Sequence, residues 1–383
     1  MWLRQFCEYA PVTNPGWRSR ALTFICVGWL GACSSSGGCP AGTGKTGGTG
    51  GSGAGGTGGG ASLSDLPVPP GGGQPMPAGT PGGLTVLDWA GFKSAVSWTF
   101  DDSQPSQIAH YAELAALELP MTFYISTGLG GAASYDAAWS QAVADGNEIG
   151  NHTVHHCHAD LTGCSFGTAT GTLADELDQA TQYIAQHYPA QGDCWTAASP
   201  FGDTGYDSAD ASRFLVNRGV AGGTIGPKDS TDPFNLPIYL AQTADTAAIF
   251  DSKIDAAHTA GRWLIVLIHT INPTTDIWYN PVDIGEITSA MSHGQSLGDV
   301  WTDSLVHVAA YWIGQKLLSA ATPSASGATQ TWTWTLPAHF PPGRSLRVTV
   351  TGGTLSQNGA PLAWDDHGYY EVALDAGSLT LSP

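Results

Sequence analysis

The chain is poor in cations: 13 Lys plus Arg stand against 32 Asp plus Glu, a formal net charge of -19 over 383 residues. Nucleic acids and anionic lipid surfaces are held by clustered cations that displace counterions, so no nucleic-acid partner is expected. Long apolar runs are missing as well. The run at 21–30 has about half of the roughly 20 residues that span a bilayer, and nothing later in the chain is longer. No internal repeat is visible. Cysteine is sparse beyond the first 40 residues, where only Cys157, Cys164 and Cys194 occur. In an oxidising compartment these allow one disulfide and leave one thiol over.

What is abundant points elsewhere. Hydrophobic residues make up 42% of the chain and include 14 Trp, ample for a core. Low charge with many Trp and Tyr suits a carbohydrate partner, whose C–H faces stack on aromatic rings, although most such rings serve core packing. Arg18 and Arg20, the apolar run 21–30 and Leu30-Gly31-Ala32-Cys33 read as an export leader over residues 1–33, and the residues before Arg18 read as preceding the true start of translation. Leu-Gly-Ala-Cys resembles a bacterial lipobox, which implies cleavage before Cys33 and an exported protein anchored to the cell-envelope membrane through lipid on that cysteine. An ordinary secretory signal is the alternative. Residues 34–83 are Gly, Ser, Thr and Pro with few apolar groups, a composition that cannot offset the entropy of ordering. They read as a flexible tether.

From residue 84 to about 321, short apolar runs alternate with helical patterns. Strands are expected at 95–100, 121–126, 148–150, 194–198, 219–221 and 264–268, and helices at 105–118, 135–145, from Thr172 as cap, 208–217, 246–260, 282–292 and 303–319. Alternating strands and helices imply parallel strands with right-handed crossovers, and about seven units favour a closed barrel. In such barrels, functional groups gather at the C-terminal ends of the strands. Asp101 and Asp102 end the first strand, His152 and His156 follow the third, Pro200 and Phe201 follow the fourth, and His269 ends Leu264-Ile265-Val266-Leu267-Ile268. Two imidazoles four residues apart and one carboxylate make a metal-ligand set, and a catalytic site leaves further positions on the ion open.

Thr99-Phe100-Asp101-Asp102, His152-Thr153-Val154-His155-His156, Ser199-Pro200-Phe201-Gly202 and Leu267-Ile268-His269 resemble, in order and spacing, the motifs of the polysaccharide deacetylase family, the NodB-like carbohydrate esterases. The resemblance implies a distorted (β/α)7 barrel and metal-dependent hydrolysis of acetyl groups on N- or O-acetylated sugars. It implies that Asp102, His152 and His156 hold zinc, or cobalt or another divalent ion. It also implies Asp101 as general base, His269 as general acid and a backbone N–H at Phe201 for the oxyanion, with Pro200 in the same motif. Two departures stand out. An Arg two residues before the motif's Pro is expected, and Ala198 is there. The acidic fourth motif is not recognisable, and Asp229 and Asp232 are the nearest substitutes for orienting His269.

Two other readings compete. A two-His, one-carboxylate iron oxygenase commonly presents His before the acid, the reverse of the order here. An inactive, lipid-anchored glycan-binding protein would explain the absent Arg but not the retention of Asp101 beside Asp102. Cys157 follows His156 directly, so a bridge to Cys164 or Cys194 would stiffen the ligand turn, and a Cys157 metal ligand is a further alternative. Residues 322–383 change pattern to period two, at Trp332 and Trp334 and again at 346–350, and read as a small antiparallel β domain packed on the barrel. Trp332 and Trp334 are either its buried face or a sugar platform. The sequence assigns no oligomeric state.

Overall fold

The computed structural model describes residues 66–129, 132–275 and 278–383. The leader, Cys33 and the first part of the tether lie outside the described residues. Seven parallel strands close a barrel in chain order: Ser94–Asp101, Thr122–Ile125, Glu148–Asn151, Thr196–Ala198, Val216–Gly222, Leu236–Leu240 and Trp263–Ile268, the last pairing with the first. Val300–Thr302 adds alongside the N-terminal half of the first strand. The expected (β/α)7 barrel is therefore present.

Side-chain alternation sorts each strand into two environments. On the first strand Val96, Trp98 and Phe100 join an apolar layer with Phe250, Ile254 and Ile287 from the surrounding helices. Ser97, Thr99 and Asp101 alternate with them and face the barrel interior. On the last strand Leu264, Val266 and Ile268 pack in that outer layer, while Trp263, Ile265 and Leu267 belong to the other core. All six residues of this strand are buried, which is why it reads as an unbroken apolar run.

Most helices form where expected, including Leu173–His187, whose Thr172 and Asp175 make a reciprocal capping box. Three readings change. The helix expected at 105–118 breaks into Pro105–Ala109 and Tyr111–Ala115, because His110 leaves helical geometry and its Nε2 bonds the Pro273 carbonyl at 2.9 Å. The helix expected at 208–217 is only Asp207–Asp210, and the chain is extended again from Val216. The strand Leu236–Leu240 has no counterpart in the sequence reading. Short runs are ambiguous in periodicity, and pairing partners along the barrel wall decided these two.

The C-terminal region forms two antiparallel sheets. One includes Thr85–Val86 from just before the barrel, paired with Ser345–Thr349. Leu346, Leu355, Leu374 and Leu379 share one apolar core with Trp312 and Val308 of the helix Leu305–Ala320, so the small sheets pack on the barrel as expected. Trp332 is buried in that core rather than offering a sugar platform. The end of the stretch read as tether also has partners, since buried Arg347 donates from Nη1 to the Pro67 carbonyl at 2.7 Å and from Nη2 to that of Leu66 at 3.2 Å. Among the described residues no helix is long and apolar enough to cross a membrane.

Candidate metal centre and active site

Backbone geometry at the C-terminal rim departs from the ordinary. Asp102, Ser103, Thr153, His156 and Phe201 all have positive φ, between 52° and 74°. Non-glycine residues adopt this region at a cost, and its concentration on three loops that meet at one point is the pattern of a functional site. The turn at Asp102 reverses the strand's alternation, so that Asp101 Oδ2 and Asp102 Oδ1 both lie near His152 Nε2, at 3.7 and 3.2 Å. On the second loop the Asn151 side chain accepts from the Thr153 amide at 2.8 Å and Thr153 Oγ1 accepts from the His156 amide at 3.0 Å. These bonds fix the turn that brings His152 and His156 together.

The two imidazoles converge on one oxygen. Asp102 Oδ1 lies 3.2 Å from His152 Nε2 and 3.3 Å from His156 Nε2. His152 Nδ1 donates to the Ala198 carbonyl at 2.8 Å, which leaves Nε2 as the lone-pair nitrogen of the neutral ring. His156 Nδ1 is 3.1 Å from Ser165 Oγ. A neutral Nε2 facing a carboxylate oxygen has no proton to share, and Asp102 Oδ1 is buried without a hydrogen-bond partner. Three lone-pair donors within 4.8 Å of one another, with outer bonds holding the rings, fit a divalent cation. The same groups also shift one another's charge. Burial pushes the Asp102 carboxyl up, but His152, His269 and His156 outweigh it and hold it well below the usual carboxylate range. Burial likewise opposes charge on His152, but Asp101 and Asp102 hold its pKa up. His156 has less support, and desolvation with repulsion from His152 takes it down to about 4.

Asp101 sits beside this set but has a different partner. Arg218, fully buried on the fifth strand, donates from Nη2 to Asp101 Oδ2. Asp101 Oδ1 is buried with no hydrogen-bond partner. His269 Nε2 is 4.0 Å from Asp102 Oδ2, its Nδ1 has no partner, and burial lowers its pKa although both acids oppose this. Asp229 and Asp232 do not orient it: Asp229 pairs with Arg262 at 3.1 Å, and Asp232 accepts from the Phe234 amide at 3.0 Å. Pro200 is buried, and Phe201 stands 47% exposed against the rings of His156 and His158. The turn's own bonds come from the amides of Gly202 and Asp203, to Ser199 and Pro200, and not from that of Phe201. Cys157 pairs with Cys164, which removes it as a metal ligand and carries the chain round to Ser165, while Cys194 is free and buried.

The rim also carries rings the sequence reading did not single out. Trp278 and Tyr279 are 43% and 52% exposed. Trp278 lies 5.7 Å from Phe166, which touches His156, and Tyr279 meets His269 edge-on at 4.9 Å. Arg218 was missed because residues 208–217 read as helix. An Arg two positions after Val216, in a chain so poor in cations, was the available signal.

Residues 91–217 match the family model described as polysaccharide deacetylase. This match places residues 91–217 with the polysaccharide deacetylase family. That family's enzymes are hydrolases acting on acetylated sugars, as the four motifs implied. No curated protein matches the chain. Among solved structures, the Xyl-CE4 domain of a multidomain xylanase from the hindgut metagenome of Trinervitermes trinervoides is 14% identical, covering 56% of this chain and 88% of that one at a TM-score of 0.37. Peptidoglycan deacetylase PdaC from Bacillus subtilis is 15% identical over 56% of this chain and 89% of that one, TM-score 0.35. The polysaccharide deacetylase Bc1974 from Bacillus cereus is 15% identical over 55% and 91%, TM-score 0.37.

Proposed function

We propose that the protein is a metal-dependent deacetylase of an acetylated polysaccharide or oligosaccharide, with Asp102, His152 and His156 holding zinc. The observation that carries this is the pairing of an unpartnered donor set, Asp102 Oδ1 with two Nε2 atoms, and an adjacent carboxylate that is not part of it. A divalent ion bound there supplies Lewis acidity and a water of lowered pKa. Asp101, whose Oδ1 has no hydrogen-bond partner, takes the proton of the attacking water as general base. His269, at the end of the strand adjacent to that of Asp101, gives a proton to the departing amine or alkoxide. The Phe201 amide, turned by a positive φ and outside the turn's own bonds, is a donor for the developing oxyanion.

The substrate reading rests on the rim. Phe166, Phe201, Trp278 and Tyr279 offer ring faces or edges beside the proposed ligands, and sugar C–H faces pack on such rings. A net charge of -19 suits a neutral or cationic glycan over an anionic one. Lipidation at Cys33 would hold the barrel at the extracytoplasmic side of the cell envelope.

The test is acetate release by zinc-loaded protein from chitooligosaccharides, acetylxylan and peptidoglycan fragments, with Asp101→Asn in parallel. Release by wild type that collapses in the variant is expected. Equal and negligible release by both would replace the deacetylase with a glycan-binding protein.

A further inference from the structure

We infer that Arg218 is the positioning residue of Asp101, supplying from the fifth strand the guanidinium that the motif would have supplied from position 198 on the fourth. The inference rests on the deacetylase reading for its chemistry, and on the barrel's register for its geometry. Ala198 and Arg218 are directly paired residues of adjacent parallel strands. Paired residues on neighbouring strands project from the same face, and the strands lie about 4.8 Å apart. A guanidinium on either therefore enters the same sector of the barrel, and the small side chain of Ala198 leaves that sector to Arg218.

The surroundings of Arg218 are built to hold it in one place. It is fully buried, Nη1 donates to the Gly219 carbonyl at 2.9 Å, and its guanidinium lies over the Tyr124 ring, 5.4 Å from the centroid. The Tyr124 hydroxyl is anchored 2.9 Å from Thr196 Oγ1. That ring is packed against Gly150, where an added Cβ would lie 2.3 Å from it, so a glycine is required for the platform to exist. Among the described residues Arg218 is the one Lys or Arg in an ion pair with either acid of the site.

The pairing also sorts the two oxygens of Asp101. Oδ2 is tied to Arg218 and lies 3.7 Å from His152 Nε2, and Oδ1 is left buried and without a hydrogen-bond partner. Buried ion pairs are a poor device for stability alone, since well-packed apolar residues serve as well or better. A guanidinium that holds one carboxylate oxygen and frees the other has a positional use.

Three variants test this: Arg218→Ala, Arg218→Lys and the relocated pair Ala198→Arg with Arg218→Ala. Positioning groups of this kind typically affect activity roughly 10- to 100-fold, and that fall in kcat, with KM little changed, is expected for Arg218→Ala. Free guanidinium ion and the relocated arginine should each restore part of it, and Arg218→Lys should lie between. Zinc affinity of the apoprotein, measured by chelator competition, should stay level or tighten in Arg218→Ala, because a cation is removed from beside the site. A merely structural arginine would lower zinc affinity and kcat together, with no recovery from guanidinium or relocation, and would overturn the inference. Should Arg218→Ala not fold, the relocated pair, which keeps a buried arginine, and Arg218→Lys decide it by the same comparison. Wild type that binds zinc but releases no acetate sinks the deacetylase reading instead. The inference then stands or falls on whether crystal structures of Arg218→Lys and the relocated pair keep the Asp101 carboxylate in place and whether zinc affinity is retained.

Discussion

Both ends of the barrel bury carboxylates, and the two ends treat them differently. At the N-terminal end Glu148 accepts from Thr122 Oγ1 at 2.8 Å, from Thr196 Oγ1 at 2.6 Å and from the Val306 amide at 2.9 Å. Burial still pushes its carboxyl above the usual range, but each oxygen has a donor. At the C-terminal end Asp101 and Asp102 each keep an unpartnered buried oxygen, on loops whose backbone is strained. The carboxylate at the floor is fully partnered and those at the rim are not. Buried polar groups without partners are uncommon, and at the rim they fit the proposed cation and water.

The contrast can be broken at several points. Replacing a proposed ligand, His152→Ala or Asp102→Ala, should abolish stoichiometric zinc binding and take acetate release to background, as metal analysis and an acetate assay would register. Asp101→Asn should keep the metal and lose roughly 10²- to 10⁴-fold in rate, the usual range for a general base. Retained activity there would make Asp101 another floor-type structural acid.

Another buried acid, Asp210 on the short helix Asp207–Asp210, gives a separate test. Desolvation first, and then the Asp207 charge, raise Asp210 to about 7. An acid whose folded pKa is raised binds its proton more tightly in the native state, so its contribution is most favourable below the unfolded value and is lost as pH rises. Wild type should therefore weaken relative to Asp210→Asn by ~1.4 kcal/mol per pH unit between about 4 and about 7, then run parallel to it. Denaturant melts of the two proteins across that window give the difference directly. The smallest effect is expected at the floor, where Glu148→Gln should cost about 1–3 kcal/mol by mismatched hydrogen bonds while leaving zinc affinity unaltered. A change in zinc affinity would tie the two ends together.

The grouping of Asp102, His152 and His156 was legible because these residues lie in contiguous motifs, with Asp102 at a strand end and His152 and His156 in one turn. The barrel was legible from alternating patterns and from the unbroken apolar run of Trp263–Ile268. The base side was not. Arg218 sits in a strand whose beginning reads as helix, and its partner is 117 residues away. Leu236–Leu240, half-buried at several positions, carries too weak an alternation to stand alone. Asp229 and Asp232 lay at a plausible place in the chain and proved to serve local turns and Arg262 instead.

By itself the sequence determined the strand and helix alternation, the identity of the acid pair and the two imidazoles, and the absence of an arginine at 198. These are local properties, set by residue type and short spacing. Only the tertiary structure decided which acid faces the ligand set and which faces a cation, which cysteine closes on Cys157, and that Ala198 has Arg218 as its cross-strand partner. Register between strands depends on closing the whole barrel wall, and no stretch of sequence shorter than that wall contains it.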